Sequence, residues 1–176
     1  NPVIGHYGAG FDLDLYVCAD PACTSGGNRQ LFTDGFSGQF ADLTIGADGN
    51  PVIGHHDGSN LDLYVCADPI CTSGTNRELV TDGSAGRHAS VAIGVDGNPV
   101  ISHLEDSDED LELYVCADPT CTHGTNHELE TTGDIGAYAS VAIGVDGNLI
   151  IAYHDGDNEN LKVATPTFAV TGLIFE

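Results

Sequence analysis

The chain is poor in positive charge: four Lys and Arg stand against 27 Asp and Glu in 176 residues, a formal net charge of −23. Phosphate binding needs clustered cations to displace counterions, so nucleic acid is excluded as a partner and anionic membranes are disfavoured. No apolar run approaches the roughly 20 residues that span a bilayer, so membrane insertion is not expected. Tryptophan is missing, which removes one of the large sugar-stacking side chains. Neither a G-x-S-x-G elbow nor an H-E-x-x-H pair occurs, and no carboxylate pair stands apart from the repeat background, so catalysis is not expected. Convincing helical periodicity is absent as well.

What is present is repetition. DLDLYVCADPACTSG at 12–26 returns as NLDLYVCADPICTSG at 60–74 and as DLELYVCADPTCTHG at 110–124. Aligning Cys18, Cys66 and Cys116 gives a period of 48 to 50 residues, and the Asp-Gly-Asn triplets at Asp48, Asp96 and Asp146 keep the same step. Asn1 matches Asn50, Asn98 and Asn148, each of which follows Asp-Gly, so the chain is expected to be a processed form or a segment.

Within each unit apolar residues alternate with a period of two, and Gly, Asn, Asp and Pro punctuate them, which predicts strands and tight turns. In one unit 89–94 reads as a first strand, Asp96-Gly97-Asn98 as a hairpin turn, 99–103 as a second strand, 111–116 as a third and 127–131 as a fourth. A four-stranded antiparallel unit repeated at this period predicts an all-β fold of the β-propeller type. The predicted blades cover about 1–35, 39–83, 87–133 and 137–176, the first lacking its inner strand. The apolar tail at 167–176, with Phe168, Val170, Leu173, Ile174 and Phe175, reads as an assembly strand. It either completes a ring within one chain or is donated to a neighbour, which would build closed rings or filaments.

DGNPVIGHHDGSNLDLYVCADPICTSG and its copies resemble the repeats of secreted bacterial β-propellers, in which such a stretch leads through a polar turn into a Cys-bearing strand. The resemblance covers nearly the whole chain and implies a fold and a secreted setting, not a reaction. The last unit departs from it by losing both cysteines and the Asp-Pro turn.

Six cysteines form three identical C-A-D-P-x-C pairs, Cys18 with Cys23, Cys66 with Cys71 and Cys116 with Cys121. Asp-Pro turns can bring such pairs within disulfide range, which fits an oxidising, extracellular compartment. His6, His55, His103 and Tyr153 share one register at a strand end, and are either a rim of ligand-binding groups or a duplicated structural residue. Asp106, Asp108 and Asp110, and likewise Asp155, Asp157 and Glu159, alternate like the first ligands of a calcium loop, and are either a calcium site or solvated acidic turns. Cys116, Cys121, His123 and His127 have zinc-ligand chemistry, but the cysteine pair persists in the other units without those histidines, so the disulfide explains it better. The expectation is an extracellular, non-enzymatic structural, adhesive or assembly module that self-associates. A carbohydrate-binding, lectin-like module is the alternative, and a glycosidase is a remoter one.

Overall fold

The computed structural model describes residues 1–82 and 84–166, and the tail expected to act as an assembly strand lies outside them. The described residues form fourteen strands: β1 (Val3–Tyr7), β2 (Leu13–Cys18), β3 (Gly26–Phe32), β4 (Gln39–Ile45), β5 (Pro51–His56), β6 (Leu61–Cys66), β7 (Gly74–Val80), β8 (Ala85–Ile93), β9 (Pro99–Glu105), β10 (Asp110–Cys116), β11 (Gly124–Glu130), β12 (Ile135–Ile143), β13 (Leu149–Asp155) and β14 (Asn160–Ala164). They pair antiparallel in chain order into four sheets, β1-β2-β3, β4 to β7, β8 to β11 and β12-β13-β14. The first sheet lacks the strand that β4, β8 and β12 supply elsewhere, as the repeat predicts. The fourth strand of each unit starts earlier than the sequence suggests, at Gly124 rather than His127 in the third.

The hairpins follow from local chemistry. In the first Asp-Gly-Asn turn the Asp48 carboxylate accepts the Asn50 N–H at 3.0 Å, while Gly46 N–H donates to Asn50 O at 2.8 Å. Gly49 supplies a φ of +84° that a side chain would resist, and Gly97 and Gly147 repeat it at +84° and +80°. The disulfides Cys18–Cys23, Cys66–Cys71 and Cys116–Cys121 are all formed, with Cα atoms 4.9 Å apart, and close the loop between the third and fourth strands of each unit. Those strands converge because Gly26, Gly74 and Gly124 lie under the rings of Tyr16, Tyr64 and Tyr114, where a Cβ would come within 2.6 Å of a ring carbon.

Sheets stack in chain order: β4 packs on β1, β8 on β4 and β5, and β12 on β8 and β9. Middle strands are therefore buried on both faces. Leu61 and Leu63 of β6 pack toward Ile101 of the next sheet, while Tyr64 and Cys66 pack toward Leu13, Leu15 and Ile53 on the other side. Leu111 and Leu113 meet Ile151 in the same manner. A polar rail joins the inner strands, with Asp42 accepting Val91 N–H at 2.8 Å and Ser90 Oγ accepting Val141 N–H at 3.2 Å. The expected ring is not closed among the described residues, where no strand of the first sheet packs substantially on the fourth.

The stack has a direction. Ile53, Ile101 and Ile151 are each fully buried against the preceding sheet, but Ile4, at the same place in the first sheet, is 51% exposed. On the opposite face Leu61 and Leu111 are fully buried, and their counterpart in the fourth sheet, Leu161, is 73% exposed, with Val163 and Ile150 also open. Each sheet thus offers a leucine-rich face to the isoleucine-bearing face of the next, and among the described residues the two ends keep one face of each kind that no other sheet covers.

Candidate functional site

His55 and His103 lie fully buried inside their sheets, and His6 is partly buried at the end of the stack. His55 Nδ1 accepts Gly38 N–H at 3.2 Å, so its proton is on Nε2, which donates to Asn76 Oδ1 at 3.0 Å. The Asn76 amide in turn donates to the Asp62 carboxylate. His103 repeats the relay with Gly86 at 3.3 Å, Asn126 at 3.2 Å and Glu112, which Asn126 reaches at 2.7 Å. In the first sheet His6 is bonded to Asn28 at 2.8 Å and Asn28 to Asp14 at 2.6 Å. Cross-strand register sets His6 opposite Asp14, His55 opposite Asp62 and His103 opposite Glu112, so one side-chain relay ties three strands of a sheet. Burial holds the His103 imidazole down to about 4, and His55 is lowered for the same reason. At His55 and His103 the geometry is that of a structural residue, because both ring nitrogens are engaged within the sheet.

The acidic turns do not gather into a calcium loop. Asp106 pairs with Arg87 at 2.5 Å, and Asp155 accepts Asn158 N–H at 3.0 Å and the Lys162 ammonium at 3.0 Å. Asp108 and Asp110 line an acidic cleft between the second and third sheets, while Asp157 and Glu159 are exposed. Among the described residues no group of three His, Cys, Asp or Glu side chains is disposed to hold a metal ion. The alternating spacing marks acidic turns, with Asp155 buried by its bonds to Asn158 and Lys162, and with Asp157 and Glu159 open to water.

A second repeated feature has no counterpart in the sequence reading. The first strands β4, β8 and β12 each carry a bulge, where the register slips between Gln39 and Asp42, between Arg87 and Ser90, and between Ala137 and Ser140. Inside the bulges sit Phe40, His88 and Tyr138 with φ of +51°, +53° and +55°. A left-handed backbone costs a non-glycine residue about 1–2 kcal/mol, yet all three positions keep a ring. The bulge turns each ring out of the sheet and into a row: Phe40 and His88 centroids are 4.6 Å apart, and His88 and Tyr138 4.3 Å. Tyr138 is 72% exposed, and Arg87 lies over Phe40 at 5.6 Å. Beside Phe40, His56 accepts Gly58 N–H on Nδ1 at 3.0 Å, which leaves its buried Nε2–H without a partner. The signal in the sequence was the recurring Gly-x-aromatic of Gly38, Gly86 and Gly136, concealed because the ring differs in each copy.

The constellation offers an aromatic ledge, with an unpartnered donor buried beneath it at His56. It contains no paired carboxylates or activated nucleophile. No protein-family model matches the chain, and no curated protein is similar to it.

Proposed function

We propose that the chain is an extracellular, non-enzymatic structural module of β-propeller blades that assembles with further copies of itself. One observation carries the reading: the ends of the stack present the two halves of the junction that joins its sheets internally, Ile4 on one end and Ile150, Leu161 and Val163 on the other. A second copy satisfies both, since the leucine-rich face of one chain receives the Ile4 face of the next. Such a contact is heterologous and generates a closed ring, completing a propeller, or a filament when the rotation does not close. Three disulfides in a chain without a free cysteine support an oxidising compartment. Sedimentation velocity across a concentration series tests the assembly: the weight-average mass rises from that of one chain to a defined multiple or to open polymers. A mass that stays at 18.3 kDa up to millimolar protein would remove the reading.

The aromatic row favours a second reading, adhesion to glycans, with sugar rings laid on the exposed faces of Tyr138 and Phe40. A glycan array probed with the wild-type chain and with Phe40→Ala decides it. Binders that vanish in the variant support the ledge, and an empty array rejects it.

A further inference from the structure

Every junction inside the stack contains an inner strand, β4, β8 or β12, that touches both of the sheets it lies between. Gly38, just ahead of β4, donates its N–H to His55 Nδ1 in its own sheet and presses on the preceding one, where a Cβ would lie 2.8 Å from Leu13 Cα. Gly86 does the same with His103, and a Cβ there would lie 2.7 Å from Leu61 Cα. Further along, each inner strand accepts an N–H from the next, Val91 on Asp42 and Val141 on Ser90. At the hairpin turns, a Cβ on Gly97 would lie 3.4 Å from Ala47, and one on Gly147 3.0 Å from Val95.

The first sheet keeps the socket for such a strand and lacks the strand. β1 is an edge, whereas β5, β9 and β13 are each paired on both sides. Asn28 gives its amide to Asp14, so its Oδ1 faces His6 Nε2 and the ring proton lies there. His6 Nδ1 is then a bare acceptor, as it is in His55 and His103, but among the described residues no glycine N–H meets it. Its neighbour at 3.3 Å is Tyr7 O, a second acceptor. All of β5 is buried, while Ile4 and Tyr7 of β1 are open to water.

The far end of the stack carries the other wall of the same socket. Leu161 stands where Leu13, Leu61 and Leu111 receive a glycine, Ser140 where Asp42 and Ser90 receive an N–H, and Val145 where Ala47 and Val95 receive a turn. All three are exposed. The strand that fits is defined by the three inner strands, which read Gly-x-ring-Ala-Asp/Ser-Leu/Val-x-Ile-Gly at 38–46, 86–94 and 136–144. Its first residue must be glycine, because Gly38 and Gly86 have φ of +91° and +97° and leave no room for a side chain.

We infer that the outer edge of β1 is an acceptor for an extended segment of a partner chain carrying this pattern. The segment adds antiparallel along Val3 to Tyr7, and its leading glycine donates to His6 Nδ1. In strand addition of this kind the backbone bonds give affinity and the side-chain fit gives the choice of sequence. β1 holds the segment by itself. Where copies assemble as proposed above, Leu161, Ser140 and Val145 of the neighbouring copy close over it, and that second wall rests on the assembly reading.

Calorimetric titration of the chain, at a concentration where it sediments as a single chain, with an acetylated peptide of residues 84–94 tests the inference. One peptide per chain is expected. A peptide with Gly86→Pro, which lacks the donating N–H, and a protein with His6→Phe, which lacks the acceptor, each bind tenfold or more weakly. A scrambled peptide of the same composition and charge does not bind. Circular dichroism checks that His6→Phe is folded, and the peptide variant needs no change to the protein. Absence of binding overturns the inference, as does equal binding of the scrambled or the Gly86→Pro peptide. Binding that appears only after residues 167–176 are removed also overturns it, since the chain's own end and not a partner then holds the edge. Chains that assemble yet bind no peptide refute the inference and leave the assembly reading intact. Chains that bind the peptide yet stay single refute the assembly reading and leave the inference intact.

Discussion

Truncating the same isoleucine in two sheets gives two different answers if the stack is as described. Ile101 is fully buried among Val52, Leu61 and Leu63 of the preceding sheet. Ile101→Ala removes three carbons worth about 0.8 kcal/mol each in transfer alone, and the cavity left between two sheets adds to that, for a total of about 2–5 kcal/mol. Ile4 occupies the equivalent position but is half exposed, and no sheet of the described residues faces it. Ile4→Ala deletes the same atoms from a site open to water, so it costs about 1 kcal/mol or less. With a urea slope of about 2 kcal/mol/M, the first variant moves the unfolding midpoint down by about 1–2 M and the second by a few tenths. Urea unfolding followed by circular dichroism at micromolar protein measures both. Stacked repeats can unfold in more than one step, so the transitions are fitted individually. Equal losses in the two variants would refute the directional stack. A loss for Ile4→Ala that grows with protein concentration is the expected sign that another chain covers this face.

Further outcomes follow from the same geometry. Asp62 binds its proton more tightly folded than unfolded, so its favourable term is full below about pH 4 and is lost as the pH rises through about 7; Asp62→Asn therefore stabilises the chain at pH 8 and not at pH 4, as thermal unfolding at the two values would show. His103 runs oppositely, because its folded value lies below its unfolded one, so stability falls as the pH drops from 6.5 toward 4, and His103→Gln flattens that slope. Replacing Tyr138 by Gly relieves a φ of +55° and raises stability by about 1 kcal/mol while removing the outermost ring of the row; a loss of stability instead would mean that the ring packs a core. Reducing each disulfide releases a six-residue loop and costs about 2 kcal/mol per bridge, readable as the fall in urea midpoint with excess reductant.

The repeat period, the D-G-N turns and the paired cysteines made the four sheets and their three straps legible, because each rests on local chemistry that a single repeat contains. The relay was half visible. His55 and Asp62 could be seen to recur, but their pairing needed the strand register, which brings residues seven apart directly opposite. The bulges at Phe40, His88 and Tyr138 escaped because a period-two pattern says nothing of a slipped register, and chemically different rings do not align by type. Alternating aspartates resembled a calcium loop only along the chain. In space Arg87, Asn158 and Lys162 claim Asp106 and Asp155.

The claim that the stack ends are two halves of one junction is tested most directly by mixing end-face variants. Ile4→Asp spoils one face and Leu161→Asp the other, so each variant alone sediments as a single chain. Mixed in equal amounts they retain one intact pair of faces, and the account predicts dimers containing one chain of each kind and nothing larger. Free chains only in the mixture, alongside wild-type protein that does assemble, would contradict it.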